Sequence, residues 1–200
     1  MCWSSSCWPL SIVVKMDPFL VTFLDLKMNI FVLSTIPRDA AEAHCDKHVV
    51  KMILETAQLL YCVHWMTNPA ALLPTAYRKT HPNHPCAIWA RESLANYRWL
   101  CELGDCLCKE YTLRYGKTHK TSAHLEWLAE NLPPLPDVPM TPFRMAMPDE
   151  FKHEDPVEAY KAYYLGAKER MLKYTRRPPP PFIEKKRAYM TADGKSIPVR

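Results

Sequence analysis

Almost no segment of this chain alternates apolar and polar residues with a period of two, whereas long stretches repeat apolar residues at spacings of three and four. Alternation suits a half-buried strand, and the longer period suits an amphipathic helix. The pattern predicts a mainly α fold: a single compact helical domain with a short N-terminal strand-like segment, the apolar run from Ile30 to Leu33. Glycine narrows the choice further, because only Gly104, Gly116, Gly166 and Gly194 occur, against 19 prolines. Phosphate-cradling loops and dinucleotide folds need several glycines close together for tight turns and close backbone approach. A P-loop NTPase, a Rossmann dehydrogenase and a Gly-rich-loop kinase are therefore excluded.

The spacing predicts a first long helix over 38–66, ended by Asn68-Pro69, and a loop carrying Tyr77, Lys79, His81, Asn83 and His84. Pro85 suits the first position of a second helix reaching Tyr115, where Gly116 supplies a left-handed cap. A short helix over 122–131 leads into a proline-rich connection, punctuated by Met and Phe and so expected to lie ordered over the surface. Asp155-Pro156-Val157-Glu158 reads as a capping box opening a last helix, with Val157, Tyr160, Tyr164, Ala167 and Met171 on one face.

The predicted boundaries are an extension over 1–27 that stays outside the fold, a helical domain over 28–181 and a basic, poorly ordered tail over 182–200. The formal charge of +5 looks like that of a basic nucleic-acid binder, but residues 28–175 balance and the excess sits in 176–200. Anion recognition by the domain must then come from a few placed groups. Residues 1–27 are apolar, yet Lys15 and Asp17 interrupt them before a membrane-spanning length is reached. No basic region precedes them as in a signal peptide. Three of the eight cysteines, Cys101, Cys106 and Cys108, fall in one helical pattern, which reads as reduced thiols rather than a disulfide scaffold. The expected location is intracellular, cytoplasmic or nuclear, with no membrane partner.

The segment His44 to Leu60 carries the most chemistry. At about 100° per residue, His44, His48, Lys51, Glu55 and Gln58, with Lys47 at the edge, fall on one narrow stripe between apolar residues such as Met52, Leu54 and Leu59. A solvated face is broad and filled with interchangeable charges. A narrow stripe mixing imidazole, ammonium, carboxylate and amide implies either a compensated Lys51–Glu55 pair of purely structural use or the wall of a polar cleft. The second helix repeats the pattern with Asn96, Glu110 and Arg114 on its packing half. His81, Asn83 and His84 precede it, and Lys117 and His119 follow it.

Lysine, histidine and arginine neutralise phosphate, Asn and Gln read base edges, and aromatic rings stack on bases. A carboxylate among cations can act as general acid or base, and a lysine of depressed pKa can act as a nucleophile. The inventory points to an enzyme of nucleotide or nucleic-acid chemistry. Its catalytic candidates are Glu55, Lys51, His48 and His44. Lys47, Gln58, His81, Asn83, His84, Asn96, Glu110, Arg114, Lys117 and His119 are candidates for holding phosphate or base. No cofactor is expected. One rival is a metal-dependent hydrolase or nuclease using His44 and His48 as an i,i+4 pair, a divalent metal then being required. The other is a non-enzymatic viral interaction protein whose polar cluster only fixes helix register.

The motifs M-N-I-F-V-L from Met28, H-C-D-K-H-V-V-K-M from His44, N-H-P-C-A-I-W-A-R from Asn83 and E-Y-T-L-R-Y-G-K-T-H from Glu110 resemble a family of small proteins of bacteriophages and large DNA viruses. The likeness spans about 28–181 and implies a viral or virus-derived origin rather than a mechanism. In general layout the chain is also similar to phage-type pyrimidine-dimer DNA glycosylases, compact helical proteins with a glutamate on the first long helix and an amino-terminal amine nucleophile. That resemblance implies Glu55 as the catalytic carboxylate and Asn29, after removal of Met28, as the amine. Lysine and histidine stand where the glycosylase pattern has arginines around the glutamate.

Overall fold

The computed structural model describes residues 28–184. Residues 28–33 run extended and buried, but no strand is formed among the described residues, so the expected strand-like segment is an unpaired core thread. Its polar groups are met by side chains instead. Phe31 takes a left-handed φ of 52°, uncommon for a bulky residue, and turns the thread under the domain. Trp99 Nε1 donates to Thr35 O at 2.7 Å and anchors the exit.

The predicted first helix is two helices. α1 (Pro37–Ala43) ends at His44, and α2 (Asp46–Thr67) begins after Cys45, both junction residues being extended. Propensity alone gives no reason for the break. Tertiary partners supply it: Arg114 Nη2 donates to Glu42 O at 3.1 Å, Tyr174 Oη to Ala43 O at 3.0 Å and Arg114 Nη1 to His44 O at 2.8 Å. The N–H of Asp46 donates to Lys173 O at 2.8 Å. With the orphan groups of both helix ends satisfied from outside, the chain can turn there.

The predicted second helix divides likewise into α3 (Pro85–Ala90) and α4 (Leu94–Tyr115), with Ser93 accepting from Asn96 N at 3.0 Å as the cap of α4. Gly116 closes α4 at φ 65°, as its position predicts. α5 (Ser122–Glu130) packs on α4 and α2, and α4 also covers α1. At Gly104 a Cβ would stand 2.8 Å from Leu125 Cδ2 and 3.1 Å from Thr56 Cγ2, so this glycine sits where three helices approach closely.

The proline-rich connection is held to the surface by Phe143, which stacks on Trp89 at 5.0 Å and meets Trp99 edge-on at 4.8 Å. α6 (Pro156–Ala167) is capped by Asp155, which accepts from Val157 N at 2.8 Å. Glu158 does not complete a box; it pairs with Lys161 Nζ at 2.8 Å instead. α6 buries Tyr160, Tyr163 and Tyr164 against the thread, and Met171 lies beyond it in a 3-10 turn. Ile183 is buried, so the fold continues past the expected boundary at 181. The rest of the predicted tail and the predicted extension 1–27 lie outside the described residues. No helix among the described residues is long and apolar enough to cross a membrane.

Candidate active site

Glu55 is the charged centre of the α2 stripe and only 6% exposed. Lys51 Nζ lies 2.7 Å from its Oε1, and the backbone N–H of Asn29 donates to its Oε2 at 3.2 Å. Burial pushes the Glu55 carboxyl above its usual range, opposed by the Lys51 hydrogen bond and charge and by the Asn29 N–H. The Asn29 side chain fixes that backbone nitrogen in place. Its Oδ1 accepts from Ile30 N and from Tyr160 Oη, each at 2.8 Å, and its Nδ2 donates to Ala146 O at 2.7 Å.

A cavity of about 290 Å³ opens beside this pair. It is lined by Asn29 and Phe31 of the thread, by Lys47, His48 and Lys51 of α2, and by Tyr163, Lys168 and Met171 of α6 and the segment after it. Lys51 and Asn29, the two partners of Glu55, therefore border open space, while Glu55 itself is buried and is not among the lining residues. The flank of the stripe nearer solvent is less covered than its apolar residues suggest, since Val50 and Leu54 are each 39% exposed. Gln58 continues the stripe half-buried, one turn beyond Glu55.

His48 stacks on Phe31 at 4.4 Å between ring centroids, and its Nδ1 is hydrogen-bonded to Tyr164 Oη. Burial holds its pKa down at about 3, so it faces the cavity as a neutral imidazole. His44 is fully buried, its Nδ1 donates to Ala40 O at 2.6 Å, and burial lowers its pKa to about 4. Because the chain breaks between the helices at Cys45, His44 and His48 are not an i,i+4 pair on one helix face, and their ring centroids stand 6.4 Å apart. Among the described residues no group of three His, Cys, Asp or Glu is placed to hold a metal ion.

The candidates on α4 go elsewhere. Arg114 is fully buried and its guanidinium meets Glu110 at 3.0 Å, Asp46 at 3.1 Å and the carbonyls that end α1. Arg177 adds bonds to Glu110 and to Glu42, the latter at 3.1 Å, and Thr175 Oγ1 donates to Asp46 Oδ2 at 2.8 Å. Glu110 and Arg114 thus belong to an internal network that clamps the segment 174–177, not to the cavity. Arg177, part of the basic excess assigned to the tail, is neutralised there by Glu110 and Glu42. Asn96 is also structural: its Nδ2 donates to Trp89 O at 2.7 Å, and its Oδ1 accepts from Thr141 N at 2.9 Å.

The loop candidates do not join Glu55 either. His84 caps α3 by accepting from Cys86 N at 3.2 Å, His81 sits at φ 45° bonded to Thr80, and Asn83 is exposed. Lys117 is exposed, with its carbonyl accepting from Thr112 Oγ1 at 3.2 Å. His119 accepts from Thr121 N at 3.2 Å and meets the Tyr111 ring edge-on. Of all the candidates, Lys47, His48 and Lys51 line the cavity, and Glu55 meets two of its lining residues, Lys51 and Asn29, the latter through the nitrogen that the glycosylase resemblance implies.

Sequence reasoning missed Tyr160, Tyr163 and Lys168. The first two lie on the apolar face of α6, whose periodicity reports burial and not which element is covered. Lys168 follows α6 with no spacing relation to α2.

No curated protein and no solved structure matches this chain. Residues 28–123, the stretch from the buried thread to the start of α5, match the model of one family, described as pyrimidine dimer DNA glycosylase. Over residues 28–123, just under half of its length, this chain is therefore similar to the pyrimidine dimer DNA glycosylases.

Proposed function

We propose that this protein is a DNA base-excision enzyme in which Asn29, once it is the first residue, supplies the nucleophilic amine and Glu55 moves the protons. The observation that carries this is the 3.2 Å contact of Asn29 N with Glu55 Oε2, at the point where the glycosylase match begins. An α-amine suits the task better than Lys51: its ordinary pKa is about 8, against about 10.4 for lysine, so more of it is neutral near pH 7.

Attack of the amine on C1′ of a damaged pyrimidine nucleotide breaks the glycosidic bond. The base leaves with the bonding pair and takes a proton from water. Glu55 accepts a proton from the attacking nitrogen and returns it to O4′ as the sugar ring opens, leaving an iminium between C1′ and Asn29 N. A carboxyl whose pKa is raised by burial holds an accepted proton more readily than a free one, which suits it to take that proton and return it. The target nucleotide must leave the base stack to reach a buried nitrogen.

Chains beginning at Met1, Met28 and Asn29 should be incubated with duplex DNA carrying a thymine dimer or an abasic site, in the presence of borohydride, with each amino terminus verified by mass. A reduced covalent adduct is expected only where Asn29 is the first residue, whether made so directly or by loss of Met28. Adduct formation by chains that retain upstream residues, or none by the Asn29 chain, would remove Asn29 as the nucleophile.

A further inference from the structure

The cavity beside Glu55 has two walls of different origin. One comes from α2 and the thread, inside the stretch that matches the glycosylase family. The other, Tyr163, Lys168 and Met171, lies beyond residue 123. Lys168 Nζ stands over the Tyr163 ring at 4.8 Å from its centroid, a cation–π contact that holds the ammonium at the rim. Lys47, exposed on the first turn of α2, lines the same cavity. Among the described residues neither Lys47 nor Lys168 is ion-paired, whereas Lys51 is matched by Glu55. The cavity therefore carries two cations without an ion-pair partner among the described residues, in a domain whose formal charge over 28–175 balances with both of them counted.

We infer that Lys47 and Lys168 form a phosphodiester subsite that seats the DNA backbone next to the sugar presented to Asn29 N. The inference rests on the proposed DNA activity and adds a residue from the C-terminal wall to it. Two ammonium groups lining one cavity can each take a phosphate of the backbone, and the ring surfaces of Phe31 and Tyr163 that line it with them suit the sugar rather than water. Lys168 is a binding residue here, and the proton steps at Glu55 do not need it.

The test is equilibrium binding of the full chain to a duplex bearing one tetrahydrofuran abasic analogue, which needs no free amine, across a series of KCl concentrations. K168Q and K47Q should each weaken binding several-fold at moderate salt. Each should also reduce the slope of log K against log salt by about 0.9, the value for one lost phosphate contact on duplex DNA. K168R should keep the wild-type slope, whereas a merely structural Lys168 over Tyr163 would change thermal unfolding and leave the slope alone. An unchanged slope in K168Q, or no binding of the duplex by the wild-type chain, overturns the subsite. Displacement of the duplex by inorganic phosphate at matched ionic strength would assign the cavity to the free ion and overturn it as well. Borohydride trapping by the Asn29 chain is read separately. Trapping with an unchanged slope defeats the subsite alone, and a reduced slope without trapping defeats the amine alone.

Discussion

At Glu55 the requirements of folding and of chemistry conflict. Its carboxyl is buried beside a half-exposed lysine, and its pKa is raised, so the folded state holds the proton more tightly than the unfolded state does. Its contribution to stability is fully present below the unfolded pKa and is lost as pH rises through the folded value. E55Q is therefore expected to abolish borohydride trapping while unfolding at a higher urea concentration than wild type at pH 7, an advantage that shrinks toward pH 4. Loss of folding in E55Q would instead mark the Lys51–Glu55 pair as structural. The two histidines act in the opposite sense. With folded pKa values of about 4 for His44 and about 3 for His48, they contribute stability present above pH 6.5 and lost as pH falls toward those values. At about 1.4 kcal/mol per unit, His44 alone accounts for roughly 3 kcal/mol. Urea midpoints measured from pH 7 to pH 4 should fall, and H44Q should flatten the decline despite a lower midpoint at pH 7.

Helix ends show what local sequence can say. Gly116, Pro85 and Asp155 stand at their predicted caps because each acts through its own backbone or side chain within one turn. The breaks at His44–Cys45 and at Arg91–Ser93 fall inside continuous helical periodicity, and the first is made by Arg114, 70 residues away from His44 in the chain. Arg114 was legible as a polar group on a packing face. That it would serve carbonyls and carboxylates rather than a ligand was not, because periodicity does not name the partner. Replacing it singly leaves Asp46 and Glu110 as buried carboxylates short of a cation. R114M should cost about 3–5 kcal/mol, read from urea unfolding, and should expose the segment 172–177 to proteolysis first, since Asp46 and Glu110 hold it there. R114M with wild-type stability would show the network to be dispensable.

Over the whole molecule, the thread 28–33 lies between α2 and α6, so a nitrogen near one end of the domain and a glutamate on one of its two 22-residue helices meet. The sequence by itself determined the helical class, three of the helix boundaries through their caps, and the stripe that marks Lys47, His48, Lys51 and Glu55, because these follow from the period of one helix and the chemistry of single turns. Only the tertiary structure decided that His44 leaves that stripe, that Glu110 and Arg114 close a clamp, and that Tyr160 and Lys168 join the site. Those outcomes depend on which far segments supply hydrogen-bond partners and countercharges. Buried polar groups take the partner that packing brings within reach, and no periodicity along one element encodes that choice.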